Sequence, residues 1–276
     1  MPELPEVERT ARRLRGWVRG RAIECLVHAD AQVLKQVTER QLAAAVRGVG
    51  VRAIARRAKY LLVKLANEHT LLVHLGMTGK LVRRAPGERP DYSRLALALV
   101  GVSGAAGGEV VVHLVDPRKL GAVRLVATRD LARHPSLAHL GPEPLSRAFT
   151  PRVLGEALDG KRGPLKVALM DQAVVAGIGN IQSAEGLWKA RLDPFRPAGS
   201  LQPAELARLV SGLRWTLTES LARDRGAETT YVSESKDENP FVIYGRKGEP
   251  CPRCGSPIER RALAGRGTYW CPRCQA

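Results

Sequence analysis

The spacing of apolar residues changes near the middle of the 276-residue chain. In the first half, short apolar runs are separated by glycine, proline and charged residues, as in β-strands joined by turns. From residue 150 onward, apolar residues recur at steps of three and four, which is the period of a helix. A chain of this length can form two domains. We predict an α+β fold with an N-terminal β-sandwich or barrel, flanking helices and a C-terminal helical domain.

The same patterns predict the bounds of individual elements. The predicted strands are residues 21–27, 49–55, 60–65, 70–75, 94–100, 110–115 and 123–127. The predicted helices are residues 5–18, 39–46, 150–158, 165–170, 181–189 and 203–223. Proline and glycine recur from His134-Pro135 to Gly141-Pro142-Glu143-Pro144, which predicts a linker. We therefore expect domains at 1–132, 150–240 and 241–276, with a linker at 133–149.

Four of the five cysteines lie near the C-terminus, as Cys251-Pro-Arg-Cys254 and Cys271-Pro-Arg-Cys274. Two such pairs at this separation are typical of a zinc ribbon, in which four thiolates hold one structural Zn2+. Disulfides are the alternative, but they are uncommon in cytosolic proteins, and the N-terminus carries acids where a signal peptide carries basic residues. The fifth, Cys25, alternates with Ile23 and Val27 on a predicted strand and is expected in the core.

The chain carries 44 lysine and arginine residues against 27 acidic residues, for a formal net charge of +17 and a pI near 10.4. This excess favours a polyanionic partner such as nucleic acid, although a protein from a thermophile or a GC-rich genome can be arginine-rich without one. The longest apolar run, residues 95–102, is too short to span a bilayer. We expect a cytoplasmic, nucleoid-associated monomer with no membrane partner.

The first eight residues read Met-Pro-Glu-Leu-Pro-Glu-Val-Glu. Removal of Met1 would leave Pro2 with a secondary amine, which is partly unprotonated at neutral pH because α-amino groups titrate near about pH 8. Such an amine condenses with a sugar aldehyde carbon to give a charged iminium, and Glu3 and Glu6 are near enough in sequence to move protons. The alternative is an ordinary helix start, where proline and acidic residues are common.

A second motif, Ala176-Gly177-Ile178-Gly179-Asn180, separates two predicted helices. Its glycines permit a tight hairpin whose amides face the start of a helix, a place where phosphate groups bind. A dinucleotide-binding interpretation is weak because no strand precedes the glycines.

Several separated stretches resemble bacterial formamidopyrimidine-DNA glycosylase, a branch of the formamidopyrimidine-DNA glycosylase and endonuclease VIII family. They are residues 1–8, Arg56-Arg57-Ala58-Lys59-Tyr60, His74-Leu75-Gly76-Met77-Thr78-Gly79, Leu169-Met170-Asp171-Gln172 through Gly179-Asn180-Ile181, and Tyr244-Gly245-Arg246-Lys247-Gly248 through Cys274. The resemblance implies a base-excision repair enzyme that removes oxidised purines (8-oxoguanine and formamidopyrimidines) from duplex DNA and cuts abasic sites by β,δ-elimination. It also implies that 1–132 is catalytic, 150–240 is a helix-two-turn-helix DNA-binding domain and 241–276 is a zinc finger.

The resemblance assigns four residues to the chemistry. Pro2 would attack the sugar C1′ carbon and Glu3 would transfer protons. Lys59 matches the lysine assigned to β-elimination, and Arg266 matches the arginine assigned to δ-elimination. Without the resemblance, the local sequence pattern favours a surface strand residue for Lys59 and a residue of a solvated turn for Arg266.

The resemblance also implies DNA contacts, because a base must leave the duplex before it is attacked. Met77 matches the methionine that fills the resulting gap, although a methionine in this pattern, taken alone, is more often a core residue. Arg118 matches the arginine that faces the orphaned partner base. The other expected DNA-binding residues are Tyr92, Lys119, Arg162, Lys166 and Asn180.

Two departures from the family fall where base specificity is set. Leu120 replaces the usual phenylalanine of the turn Asp116-Pro117-Arg118-Lys119-Leu120-Gly121, and residues 229–239 form a shorter lesion-recognition loop.

One alternative function is that of an endonuclease VIII-like glycosylase for oxidised pyrimidines, which usually has glycine where this chain has Leu4. Another is a non-catalytic protein that binds damaged DNA. His74 and His113 lie on apolar strands and are expected to be satisfied sheet residues.

Overall fold

The computed structural model describes residues 2–101, 108–223 and 239–275. These form two compact units, which contain the described residues of Met1–Ala138 and those of His139–Asp224 and Val232–Ala276. None of the described helices is long and apolar enough to cross a membrane. The boundaries of the linker at 133–149 and of a separate zinc-finger domain at 241–276 stay predictions.

The first unit is built on one antiparallel sheet with the strand order β5-β7-β6-β1-β2-β3-β4-β8. The strands are β1 Arg21–Ala29, β2 Val49–Arg57, β3 Tyr60–Leu65, β4 His69–His74, β5 Lys80–Arg84, β6 Ser93–Gly101, β7 Val110–Val115 and β8 Ala122–Ala127. At the middle of the sheet, β1 and β2 pair through Ala22 with Gly50 and Ile23 with Val49. Apolar residues from both halves of the sheet form one buried cluster, which is the core of the predicted β-sandwich.

Two helices flank this sheet, α1 at Leu4–Val18 and α2 at Glu39–Val46. Helix α1 buries Leu4, Val7, Ala11 and Leu14, which are spaced by three and four residues and therefore lie on one face. A short helix α3, Pro135–Ala138, follows inside the segment predicted as a linker. The strand β5 was not expected, because its sequence Lys-Leu-Val-Arg-Arg is short and mostly charged.

The alternation predicted for β1 is wrong at its C-terminal half. Val27 is 54% exposed and Cys25 is half-buried, whereas Ile23 lies in the core. The register of β1 with β6 shifts between Ile23 and Cys25 and again between Leu26 and His28. Because each irregularity changes which face a side chain occupies, a simple two-residue period cannot place these residues.

The second unit contains four helices and a hairpin. They are α4 Pro151–Leu158, α5 Leu165–Met170, α6 Asn180–Ala190, α7 Pro203–Ala222, β9 Glu259–Leu263 and β10 Arg266–Trp270. Helices α6 and α7 approach closely where a Cβ on Gly212 would lie 2.5 Å from the carbonyl oxygen of Gly186. This unit thus has the predicted helices and ribbon, and the whole described chain has the predicted α+β fold.

Candidate functional site

The N-terminal residues are buried beside the start of α1. Pro2 is buried and Glu3 is 2% exposed. The Glu6 carboxylate accepts the Glu3 amide proton at 2.9 Å and pairs with Arg9 at 2.9 Å. Burial raises the pKa of Glu6, although Arg9 opposes the shift. Glu6 therefore fixes the backbone that directly follows Pro2.

Lys59 lies in the turn between β2 and β3 and is half-buried. The neighbouring Ala58 has a left-handed backbone, with φ of +50°. Arg56 donates to the carbonyl oxygen of Ala58 at 2.9 Å and to the Glu8 carboxylate at 3.0 Å. Because Glu8 belongs to α1, this arginine joins the Lys59 turn to the helix that follows Pro2.

His74 ends β4, close to the charge of Lys59. Its Nδ1 accepts the amide proton of Gly76 at 3.1 Å, and its ring centroid is 4.9 Å from that of Tyr60. Burial lowers the pKa of His74 to about 4, with smaller contributions from Lys59 and Arg124. A neutral His74 is therefore the hydrogen-bond acceptor that shapes the turn before Met77.

The residues expected to enter DNA from the first unit lie on exposed turns. Met77 is 40% exposed, so it is not the core residue that its pattern alone allowed, and Leu120 is 47% exposed. Arg118 is exposed as well. Lys119 is half-buried and its ammonium lies 3.1 Å from the Asp30 carboxylate.

Tyr92 also projects from this unit. It is 57% exposed and has a left-handed backbone, with φ of +59°. The guanidinium of Arg94 lies 5.8 Å from its ring centroid, within the range of a cation–π contact. Tyr92 thus presents an aromatic face beside a basic residue.

His113 departs from the expectation of a satisfied sheet residue. Its Nδ1 lies 2.9 Å from the Ser93 hydroxyl, which is also 2.9 Å from His28 Nε2. Its buried Nε2 has no hydrogen bond of good geometry within the described residues, although the backbone of Glu88 lies near enough to favour the protonated ring. The apolar pattern of β7 fixes its burial but gives no sign of this arrangement.

In the second unit, Asn180 is the first residue of α6, after the glycine hairpin. The Gln172 amide shapes this hairpin, since it donates to the carbonyl oxygens of Met170 and Ile178 and accepts the amide proton of Gly177, at 2.8 to 2.9 Å. Gln172 ends the Leu169–Gln172 motif, and the sequence pattern does not predict its positioning role. The one signal for it is its place four residues before the hairpin motif begins at Ala176.

Lys166 connects Asn180 to the zinc ribbon. It is 0% exposed, and its ammonium donates to Asn180 Oδ1 at 2.7 Å, the Gly267 carbonyl at 3.1 Å and the Thr268 hydroxyl at 2.9 Å. Gly267 and Thr268 directly follow Arg266, which is exposed and comes after the two-residue turn of the β9–β10 hairpin. Direct contact of Lys166 with DNA would require these hydrogen bonds to break.

Arg162, in the loop before α5, is exposed. Tyr244 begins the Tyr244–Gly248 motif, and its hydroxyl accepts a hydrogen bond from the Asn180 side-chain amide at 3.4 Å. The buried Glu185 carboxylate accepts the amide protons of Val242, Ile243 and Tyr244 at 2.9 to 3.0 Å. Nothing in the local sequence pattern indicated this contact, because it joins residues more than fifty positions apart.

The four C-terminal cysteines form a cluster whose sulfur atoms all lie within 4.8 Å of one another. The Cys251 and Cys274 sulfurs are 4.0 Å apart, and the Cys254 and Cys271 sulfurs are 3.5 Å apart. These distances exclude disulfide bonds of about 2.05 Å. They fit a tetrahedral zinc site, where sulfurs about 2.3 Å from the ion lie roughly 3.8 Å from one another.

Three domain families match successive parts of this chain. Residues 1–123 match the formamidopyrimidine-DNA glycosylase N-terminal domain, residues 140–232 match its H2TH domain, and residues 248–276 match the zinc finger found in FPG and IleRS. Formamidopyrimidine-DNA glycosylases of Chloroflexus aurantiacus and Thermus thermophilus are 39% and 40% identical, each over 100% of this chain and 98% of the relative.

Solved structures agree over the same length. The MutM (Fpg) protein of Thermus thermophilus has a TM-score of 0.83 at 38% identity, covering 99% of this chain and 98% of that one. Lactococcus lactis Fpg, in complex with DNA that contains an abasic site, has a TM-score of 0.87 at 29% identity, covering 99% of both chains. The resemblance inferred from the motifs is confirmed, and the chain belongs to the formamidopyrimidine-DNA glycosylase family.

Proposed function

We propose that this protein removes oxidised purines, such as 8-oxoguanine and formamidopyrimidines, from double-stranded DNA and then cuts the strand at the abasic site. The main support is the position of Pro2 at a buried and hydrogen-bonded helix start, in a chain that belongs to this family. Relatives from Lactococcus lactis have been solved with Fapy-dG DNA and with abasic-site DNA.

In the first step, the Pro2 nitrogen bonds to the sugar C1′ carbon while the bond from C1′ to the base breaks. The base takes a proton as it leaves, and opening of the sugar ring turns the adduct into an iminium with a protonated O4′. Glu3, which is 2% exposed, is the proposed proton-transfer residue. The turn fixed by Arg56 supplies Lys59 on the same unit.

In the second step, loss of a C2′ proton sends the C–H electron pair into the iminium to give an enamine, which then expels the 3′ phosphate and becomes a conjugated iminium. A further proton loss expels the 5′ phosphate. We assign these eliminations to Lys59 and Arg266 respectively. The four cysteines would hold one Zn2+ with no open coordination position, so the ion holds the ribbon that carries Arg266 and takes no chemical part.

We further propose that Met77 fills the gap left by the extruded base and that Arg118 faces its partner. Four further residues would contact the DNA backbone or bases from loops or from the start of a helix: Tyr92, Lys119, Arg162 and Asn180. Lys166, because it is buried, would act by holding Asn180 in place.

Borohydride trapping on duplexes with different lesions tests this function, because borohydride reduces the iminium to a stable protein–DNA adduct. We expect faster adduct formation on an 8-oxoguanine duplex than on a thymine glycol duplex, and none on undamaged DNA. The reverse order would support an endonuclease VIII-like activity. No adduct on damaged or abasic DNA would show a protein that binds damage without catalysis.

A further inference from the structure

Asp116 is a fully buried carboxylate in the turn that carries Arg118 and Leu120. Its Oδ1 accepts the Thr78 hydroxyl proton at 2.6 Å and the Arg118 amide proton at 3.2 Å. Its Oδ2 accepts the Gly121 amide proton at 2.7 Å. Because Thr78 belongs to the turn that carries Met77, one side chain bonds to both turns.

The two turns also touch through their backbones. Gly76 has φ of +66°, and a Cβ at this position would lie 2.5 Å from the carbonyl carbon of Leu120 and 2.7 Å from the Gly121 nitrogen. Any side chain at Gly76 would push the turns apart. The close approach therefore requires glycine here.

A third loop meets the same residue. The Asp116 amide donates to the Tyr92 carbonyl at 3.0 Å, and Arg94 donates to the Asp116 carbonyl at 2.9 Å. Met77, Leu120 and Tyr92 are among the exposed large apolar side chains of the described residues. Each lies on one of the three loops that meet at Asp116.

Exposed apolar side chains gain little from packing with their own unit, so the backbone beneath them must hold their relative positions. Hydrogen bonds to a charged acceptor are stronger than neutral ones, and burial makes their loss costly. A buried carboxylate with donors from both turns meets this requirement.

We propose that Asp116 is a positioning residue that holds the Met77 and Leu120 turns in register, so that both side chains enter the base stack together. This inference rests on the proposed function, because it assumes that the protein opens a DNA duplex. It predicts that loosening Asp116 slows base extrusion while the reaction at an already accessible sugar continues.

The test compares Thr78→Val with Thr78→Ser. Valine matches the shape of threonine but cannot donate to Asp116, whereas serine keeps the hydroxyl group. We expect Thr78→Val to excise 8-oxoguanine from duplex DNA about tenfold more slowly, and to trap on single-stranded abasic DNA within about twofold of the unmodified protein. Thr78→Ser should retain both reactions.

A second variant, Asp116→Asn, places an amide donor opposite one of the backbone amide donors and should show a larger loss on the duplex. Fluorescence of 2-aminopurine beside the lesion gives an independent reading, since failed insertion leaves the bases stacked and the signal low. The proposal would be overturned if Thr78→Val and Thr78→Ser excised 8-oxoguanine from duplex DNA at the same rate. It would also be overturned if Thr78→Val lost as much trapping rate on single-stranded abasic DNA as excision rate on duplex DNA. If the unmodified protein traps on neither substrate, the proposed function itself fails.

Discussion

Glu6 shows how one side chain can organise the residues before a helix. Its carboxylate accepts the Glu3 amide proton and pairs with Arg9, so it holds the backbone between Pro2 and Leu4. Proline and acids at a helix start are also ordinary capping features, and the Glu6 contact is one of them. The capping contact is what places the proposed nucleophile.

Glu6→Ala tests this contact. We expect about 1 kcal/mol lower stability, as for loss of other helix N-terminal hydrogen bonds, and a larger proportional loss of trapping rate because Pro2 is no longer held. Glu6→Gln can still accept the Glu3 amide proton and should retain more activity than the alanine variant. Thermal unfolding and trapping on abasic DNA measure the two effects, and an alanine variant with an unchanged trapping rate would contradict this role.

His74 gives a pH-dependent prediction. Its pKa is about 4 in the folded protein, against an ordinary value of 6.5. Between these values the unfolded chain binds a proton that the folded protein does not, so folding stability falls as pH drops from about 6.5 to about 4. Above pH 6.5 the residue has little effect.

His74→Asn should remove this contribution, because asparagine does not titrate and its oxygen can accept the Gly76 amide proton. Unfolding by urea at several pH values should show the unmodified protein losing stability relative to the variant toward acid pH, at up to about 1.4 kcal/mol for each unit of pKa shift. Parallel stability curves for the two proteins would show that His74 is not held neutral.

At the scale of secondary structure, Lys166 links helix α6 to strand β10. Sequence comparison placed it among the DNA contacts because it is basic and precedes a recognised motif. Burial could not be read from that pattern, because its acceptors Gly267 and Thr268 lie about a hundred residues away. The same limit applies to Glu185, and also to Met77, whose local pattern favours a core residue although its side chain is 40% exposed.

Lys166→Met tests this link, since methionine keeps the length of the side chain without the ammonium group. The substitution would leave the buried Thr268 hydroxyl and the Asn180 side-chain oxygen without this donor. We expect the free energy of unfolding to fall by about 1–3 kcal/mol. We also expect weaker binding to abasic DNA, measured by fluorescence anisotropy. Lys161→Met is a matched control, because Lys161 is 39% exposed and pairs loosely with Asp171 at 3.8 Å; equal effects of both variants would contradict the linking role.

The zinc ribbon gives a second prediction at this scale. Trp188 donates to the Cys251 sulfur at 3.5 Å, so the thiolate cluster also contacts helix α6. Removing Zn2+ with a chelator should abolish DNA binding and cleavage, and restoring Zn2+ should recover both. Full activity in protein verified to be zinc-free would contradict the structural role of the ion.

For the whole molecule, the change in the spacing of apolar residues predicts a sheet in the first half and helices in the second half. The cysteine spacing predicts the zinc ribbon. What sequence patterns could not give was the irregular register of β1, the short charged strand β5, and the contacts at Asp116 between distant turns. These depend on residues brought together by folding. The lesion-recognition loop expected at 229–239 lies outside the described residues except for Asn239, so its shorter length stays a sequence observation.

The central claim is that the Pro2 nitrogen forms the covalent bond to DNA. The direct measurement is to trap the protein on an 8-oxoguanine duplex with borohydride, digest the adduct and locate the attached nucleotide by mass spectrometry. The account predicts attachment at Pro2, and no trapping when an uncleaved extension blocks that nitrogen. Attachment at Lys59 or another lysine, or undiminished trapping by the blocked protein, would contradict it.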